Sequence, residues 1–280
     1  PSLVGGSYLD ARGVNRAGIE DAASKKKTKH KGHPTPLPTP DKTGLEPMQS
    51  SQQFKNSSYT YVLVHGASGG GWDWKVMDQL LSAEGHTVYR ATLSGLGERS
   101  HLASAEINLT THIDDVANLI LFEELEQIVL VGHSYGGMVI TGVMDRLPEK
   151  IKQVFFLDAF VPADGMAAVD MWEGISDYKV ENGLVYFPWL NGAKPVPGDV
   201  PQSLKTLTEP VSFRNPKALK LPVTYVPFVE GVVQAKARSF FDSSWKRAVA
   251  RGWAVRTLES DHNAQRSHPE ELGELLLGFE

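Results

Sequence analysis

From Tyr59 onward, short runs of apolar and β-branched residues alternate with stretches whose apolar residues recur every three or four positions. This alternation constrains the fold more than any other feature. Runs such as YTYVLVH and QIVLVG are short, and they are apolar at successive positions rather than at every second one. They suit strands buried on both faces. Helical stretches between such strands act as crossovers, so a mostly parallel sheet with helices on both faces is expected. HTVYRATL and IKQVFFLD read as further strands, and LPVTYVPFV and WAVRTLES as later ones. Helices are expected over WDWKVMDQLLSAEG, closed by Gly85, and over TTHIDDVANLILFEEL, with Thr111 and Asp114 as a capping box. Others are expected over YGGMVITGVMDRL, stopped by Pro148, and over 233–249 and 269–278.

Two segments stand outside this rhythm. Residues 1–58 carry nine Lys/Arg against five Asp/Glu and include SKKKTKHKGH and PTPLPTP. They read as a basic, proline-rich arm or linker, with docking onto the body and polyanion binding as the sharper alternatives. No apolar stretch there suits an intact signal peptide, and the compartment stays open between cytoplasmic and exported. Residues 159–220 are rich in Pro, Gly, Trp and Tyr and are expected to form a cap inserted over the strand ends. The core would then be 59–158 together with 221–280.

Composition removes several function classes. Beyond residue 58 the chain has 19 Lys/Arg against 28 Asp/Glu, an acidic body unsuited to nucleic acid. No apolar run reaches eighteen residues, so no membrane-spanning helix is expected. Cysteine is absent, which removes disulfides, thiolate metal sites and a cysteine nucleophile.

The pattern G-x-S-x-G occurs twice, centred on Ser68 and on Ser134. A nucleophile elbow needs a strand, one tight turn and a helix that begins at once, with small residues where strand and helix cross. Ser134 has Gly132 before it, Gly136 and Gly137 after it, and helical spacing directly onward. After Ser68 come three glycines, and helical spacing starts only near Trp72. Ser134 is therefore the expected nucleophile. The HGASGG loop is placed to donate a backbone N–H to an oxyanion, with Ala67 and Tyr135 as the expected donors.

A serine nucleophile needs a histidine base and an orienting acid. Of nine histidines, His262 stands in LESDHNAQRSHPEEL, between the last strand and the last helix. A loop at that position delivers a base to the strand ends. His262 and His268 lack the spacing of a metal pair. For the acid, Asp158 ends VFFLD and Glu230 ends YVPFVE, so both lie at a carboxyl edge of the sheet. Asp158 is the first choice and Glu230 the alternative, with Asp261 and Asp164 as outside candidates.

At LVHGASGGGWDWKVMDQLLSAEGHTV, LVGHSYGGMV, FFLDAFVP and ESDHNAQRSHPEEL, the sequence resembles the methylesterase and hydroxynitrile-lyase branch of the α/β-hydrolases, in its bacterial EstC-like form. The resemblance covers residues 59–280. It implies an α/β-hydrolase fold, a cap between strands six and seven in the family's count, and no cofactor or metal. It carries nucleophile onto Ser134, base onto His262 and oxyanion donors onto Ala67 and Tyr135. Two positions depart from it. Gly231 stands where the plant methylesterases place their acid, while Asp158 stands where they have a small residue, which suggests that the acid has moved to the preceding strand end. Gly66 and Asn263 replace the threonine and lysine of the lyases, so nothing cationic would stabilise a leaving cyanide.

The expected activity is hydrolysis of a medium-sized, largely apolar carboxylic ester through an acyl-enzyme on Ser134. Trp172, Tyr178, Tyr186, Phe187, Trp189 and Phe213 of the cap are expected either to line an apolar pocket or to pack cap against core. The alternatives are a lyase-like or C–C bond hydrolase and a ligand-binding receptor on a hydrolase scaffold. A dehalogenase or epoxide hydrolase would need a carboxylate where Ser134 stands. The expected partner is the small-molecule ester, with a homodimer left open.

Overall fold

The computed structural model describes residues 58–172, 174–190, 196–229 and 239–279, without the side chains of 239–242. The basic arm up to residue 57 lies outside the described residues, as do Glu230 and Gly231.

Six strands form a sheet in which every pairing is parallel: β1 (Thr60–Val64), β2 (Thr87–Ala91), β3 (Ile128–His133), β4 (Ile151–Leu157), β8 (Val223–Val226) and β10 (Ala254–Val255). Their order is β10-β8-β4-β3-β1-β2. Strand residues alternate between two apolar layers. Val62, Val64, Leu130, Val154, Phe156 and Tyr225 share one cluster with α2 (Leu109–Phe122) and α3 (Gly136–Arg146). Tyr61, Leu63, Val129, Val131, Phe155 and Val226 share the other with α1 (Lys75–Ala83) and α6 (Pro269–Leu277). Burial on both faces explains why the strands read as unbroken apolar runs. The chain order reverses between β1 and β3, and in an open parallel sheet the crevice beyond the strand ends at such a point is where ligands bind.

Several boundaries differ from expectation. Helix α1 is preceded by one 3₁₀ turn, Gly71–Trp74, and begins only at Lys75. Helix α2 starts earlier than Thr111. Its capping box is Asn108 with Thr111, because Asn108 Oδ1 accepts the Thr111 N–H at 2.9 Å. The run LPVTYVPFV splits into β8 and β9 (Phe228–Val229) at Pro227, which has no N–H to give to a ladder. β9 pairs in parallel with β11 (Leu258–Glu259) as a separate two-stranded sheet. Helix α5 covers Ser239–Ala250; the first residues of the expected 233–249 helix lie outside the described residues.

The segment 159–220 follows the fourth strand of the sheet and is more regular than its composition implied. It contains β5 (Lys179–Glu181), β6 (Leu184–Tyr186) and β7 (Gln202–Ser203), paired antiparallel, and the short helix α4 (Lys205–Thr208). Trp172, Phe187 and Phe213 are buried in the same cluster as α2 and α3. These three aromatics hold cap to core. Trp189 is 39% exposed, and Tyr178 and Tyr186 are half-buried.

Candidate active site

The sheet register assembles the site. Val64 pairs with Gly132, His133 with Leu157, and Leu157 with Val226, so β1, β3, β4 and β8 end side by side. Ser134 and Asp158 each stand one residue past a strand end. The β9–β11 pair, with Glu259 opposite Val229, returns the chain to the same edge just before His262.

Between β3 and α3 the chain turns at Ser134, whose φ of 53° is in the left-handed region that non-glycine residues avoid. The surroundings enforce this conformation. The Ser134 N–H donates to Leu157 O at 3.2 Å, and Ser134 O accepts from Gly137 N and Phe160 N, each at 3.0 Å. Glycine is required beside it. A Cβ on Gly136 would lie 2.8 Å from Val64 O, and one on Gly137 would collide with Phe160 O. The small residues of the sequence motif let strand, turn and helix cross at backbone contact.

Around this turn three side chains form a chain of hydrogen bonds. Ser134 Oγ is 3.0 Å from His262 Nε2, and His262 Nδ1 is 2.7 Å from Asp158 Oδ2. Asp158 is buried, with a φ of 41°, and its second oxygen accepts the Phe228 N–H at 3.4 Å. Of the two leading acid candidates, Asp158 is therefore bonded to His262, while Glu230 lies outside the described residues. Asp261 instead accepts from Asn263 N and Ser267 Oγ, and Asp164 pairs with Arg214.

The expected oxyanion donors sit on peptide planes that are held from behind. A peptide is planar and trans, so fixing its carbonyl also aims its N–H the opposite way. Ser134 O, fixed as above, belongs to the plane that carries the Tyr135 N–H. Gly66 O, on the plane of the Ala67 N–H, accepts from His65 Nδ1 at 2.8 Å, and His65 Nε2 accepts the Leu93 N–H at 3.2 Å. Gly66 is packed so close that an added Cβ would be 3.1 Å from Ser134 Cβ. Ser68 itself is fully buried with a φ of 61°, and its hydroxyl accepts from Trp189 Nε1 at 2.8 Å. It is placed in the loop wall, not at the elbow.

Three buried histidines, His65, His112 and His133, support the site. Burial holds all three below the ordinary imidazole value. In His133 the nearby His262 adds to this effect. His133 is thus neutral, and its Nε2–H donates to His262 O at 2.6 Å, tying the His262 loop to the turn at Ser134. His112, lowered to about 4 by burial, donates from Nε2 to Ser94 O at 3.0 Å and accepts the Tyr135 hydroxyl at Nδ1 at 2.9 Å. His65 follows β1 directly, a position the sequence does display. His112 lies inside α2, where only its burial marks it. Among the described residues, no group of three or more His, Asp or Glu is placed to hold a metal ion.

Buried neutral histidines make stability depend on pH. In the unfolded chain they titrate near 6.5, so below that value the unfolded state binds more protons than the folded one. Their contribution is complete above pH 6.5 and is lost as the pH falls toward the folded value. For His112 the full loss is on the order of 3 kcal/mol. Thermal melts between pH 7.5 and 5 should show a midpoint that falls steadily below about 6.5, with a shallower slope in His112→Gln. A flat midpoint across that interval would contradict the assignment.

The profile of the Alpha/beta hydrolase family matches residues 61–275. A carbendazim hydrolyzing esterase from Nocardioides sp. (strain SG-4G) is 51% identical over 105 residues, covering 38% of this chain and 43% of that protein. Salicylic acid-binding protein 2 from Nicotiana tabacum is 40% identical over 105 residues, covering 36% of this chain and 40% of its own length. The chain thus matches less than half the length of these curated relatives. An extracellular alpha/beta-hydrolase from a Paenibacillus species superposes with a TM-score of 0.67 at 22% identity, over 78% of this chain and 98% of that one. That likeness concerns the fold.

Proposed function

Because the chain belongs to the alpha/beta hydrolase family, we propose that it is a serine carboxylesterase acting through an acyl-enzyme on Ser134. One observation carries the reading. Ser134 Oγ, both nitrogens of His262 and Asp158 Oδ2 are joined by two hydrogen bonds of 3.0 and 2.7 Å at the crevice end of the sheet. Ser134 Oγ attacks the ester carbonyl carbon as its proton passes to His262 Nε2. The carbonyl oxygen, now an oxyanion, receives the N–H groups of Ala67 and Tyr135. Asp158 keeps the Nδ1 proton in place and stabilises the imidazolium. His262 then protonates the departing alkoxide, and in the second half it deprotonates the water that releases the acid.

A medium-sized, largely apolar carboxylic ester fits a site bordered by Trp189 and the apolar cap. The reading is tested by turnover of p-nitrophenyl esters of increasing acyl length, with carbendazim added because of the esterase relative. Ser134 should be the residue that carries the label after treatment with an organophosphate. Binding of such esters without turnover or labelling would replace the enzyme by a receptor.

A further inference from the structure

The loop that carries Ala67 is held by the cap segment. Every polar group of Ser68 finds its partner there. Its N–H donates to Gln202 Oε1 at 2.9 Å, its carbonyl accepts the Val200 N–H at 2.9 Å, and its hydroxyl accepts Trp189 Nε1. Ala67 therefore lies between two fixed peptides, one set by His65 and the other by Gln202. Gln202 Nε2 donates in turn to Thr206 Oγ1 at 2.7 Å. The Thr206 hydroxyl gives its own proton to Ser203 O at 2.7 Å. Gln202 is 1% exposed and Thr206 is 0% exposed.

We propose that Gln202, braced by Thr206, is a positioning residue that holds the Ala67 N–H donor of the oxyanion hole from the cap side. This inference rests on the esterase reading for its kinetic consequence. The two donors come from loops after different strands, β1 and β3. The elbow backbone holds the Tyr135 donor, and the bonds from Ser68 to Gln202 and from Gln202 to Thr206 hold the β1 loop that carries Ala67 from the cap side. Ser68 also keeps a left-handed φ without being glycine, a conformation that persists only where neighbours over-determine it. Released from Gln202, the Ala67–Ser68 peptide is free to turn, and Ala67 would no longer be held toward the position of the oxyanion. Donors aimed at that position act mainly in the transition state, so their misplacement lowers kcat and leaves KM nearly unchanged.

The test uses Gln202→Met, which keeps length and removes both bonds, and the pair Thr206→Val and Thr206→Ser, of which only the second keeps the hydroxyl. Removing one oxyanion donor outright costs about 10²–10³ in kcat, and a displaced donor forfeits part of that. Gln202→Met should therefore lower kcat on p-nitrophenyl acetate about 10- to 100-fold, with KM within about threefold of wild type. Affinity for a trifluoromethyl ketone, whose adduct carries the oxyanion, should fall in parallel. Thr206→Val should lose about tenfold and Thr206→Ser should recover to within about threefold. Amide exchange of the segment 66–70 should quicken in Gln202→Met well below its melting temperature. Folded variants with wild-type kcat, ketone affinity and exchange would overturn the proposal, and so would a loss that Thr206→Ser fails to restore. A wild-type protein inert toward every ester would sink the esterase reading instead, and unchanged loop exchange in Gln202→Met would then sink the clasp as well.

Discussion

Ser134→Ala is expected to lower ester turnover by on the order of 10⁶ while leaving the fold intact, since single loss of the nucleophile in a serine triad has an effect of that size. The hydroxyl contributes nothing to holding the turn. The turn is held by the backbone of Ser134, through Leu157, Gly137 and Phe160, and by the glycines packed against Val64 and Phe160. Alanine at this position keeps those contacts and the same left-handed backbone. Melting temperature should stay close to wild type, and organophosphate labelling should disappear. Ser68→Ala is the informative companion, because it sits in the other G-x-S-x-G. It leaves the Ser68 backbone bonds to Gln202 and Val200 in place and removes only the acceptor for Trp189 Nε1. Its loss should stay below about tenfold, the scale of one displaced support rather than of a missing nucleophile. A dead Ser68 variant beside an active Ser134 variant would reverse the assignment of the two motifs.

Asp158→Asn is the second large effect. The carboxylate accepts from His262 Nδ1 at 2.7 Å, which leaves Nε2 unprotonated and able to take the Ser134 proton. An amide presents its NH₂ group to Nδ1 in one orientation, which favours the tautomer with its proton on Nε2. That imidazole cannot act as the base. Turnover should drop by about 10⁴ with the fold retained, as in a serine triad whose aspartate becomes asparagine. Steady-state kinetics with p-nitrophenyl esters measures the loss. Glu230→Gln is expected to cost far less. An equal or greater loss in Glu230→Gln would move the acid to Glu230, and Ser134 and His262 would keep their roles.

Much of the architecture could be read before any tertiary structure. Apolar strands alternating with helical periodicity imply a parallel sheet because a crossover helix must bury its stripe on that sheet. The preference for Ser134 over Ser68 also follows from local sterics, since only the second motif runs straight from strand into helix with glycines at the crossing points. Boundaries were less legible. The α2 cap shifted to Asn108 and the run LPVTYVPFV broke at Pro227 because a cap or a break depends on which groups meet. The cap aromatics were ambiguous for a related reason. Burial of Trp172, Phe187 and Phe213 and exposure of Trp189 depend on what lies beneath each ring, which composition does not record.

The supports of the site were decided by tertiary structure alone. Asp158 and Glu230 both end strand-like runs, and nothing local separates them. Sheet register sets the Asp158 carboxylate beside a histidine 104 residues further along the chain. Gln202 has no motif at all, yet its amide reaches Ser68 across 134 residues. Helix and strand periodicities are written in neighbours, because backbone geometry repeats every few residues. A hydrogen bond between distant loops depends on where two strands end in space. It is therefore legible only once the sheet has brought those ends together.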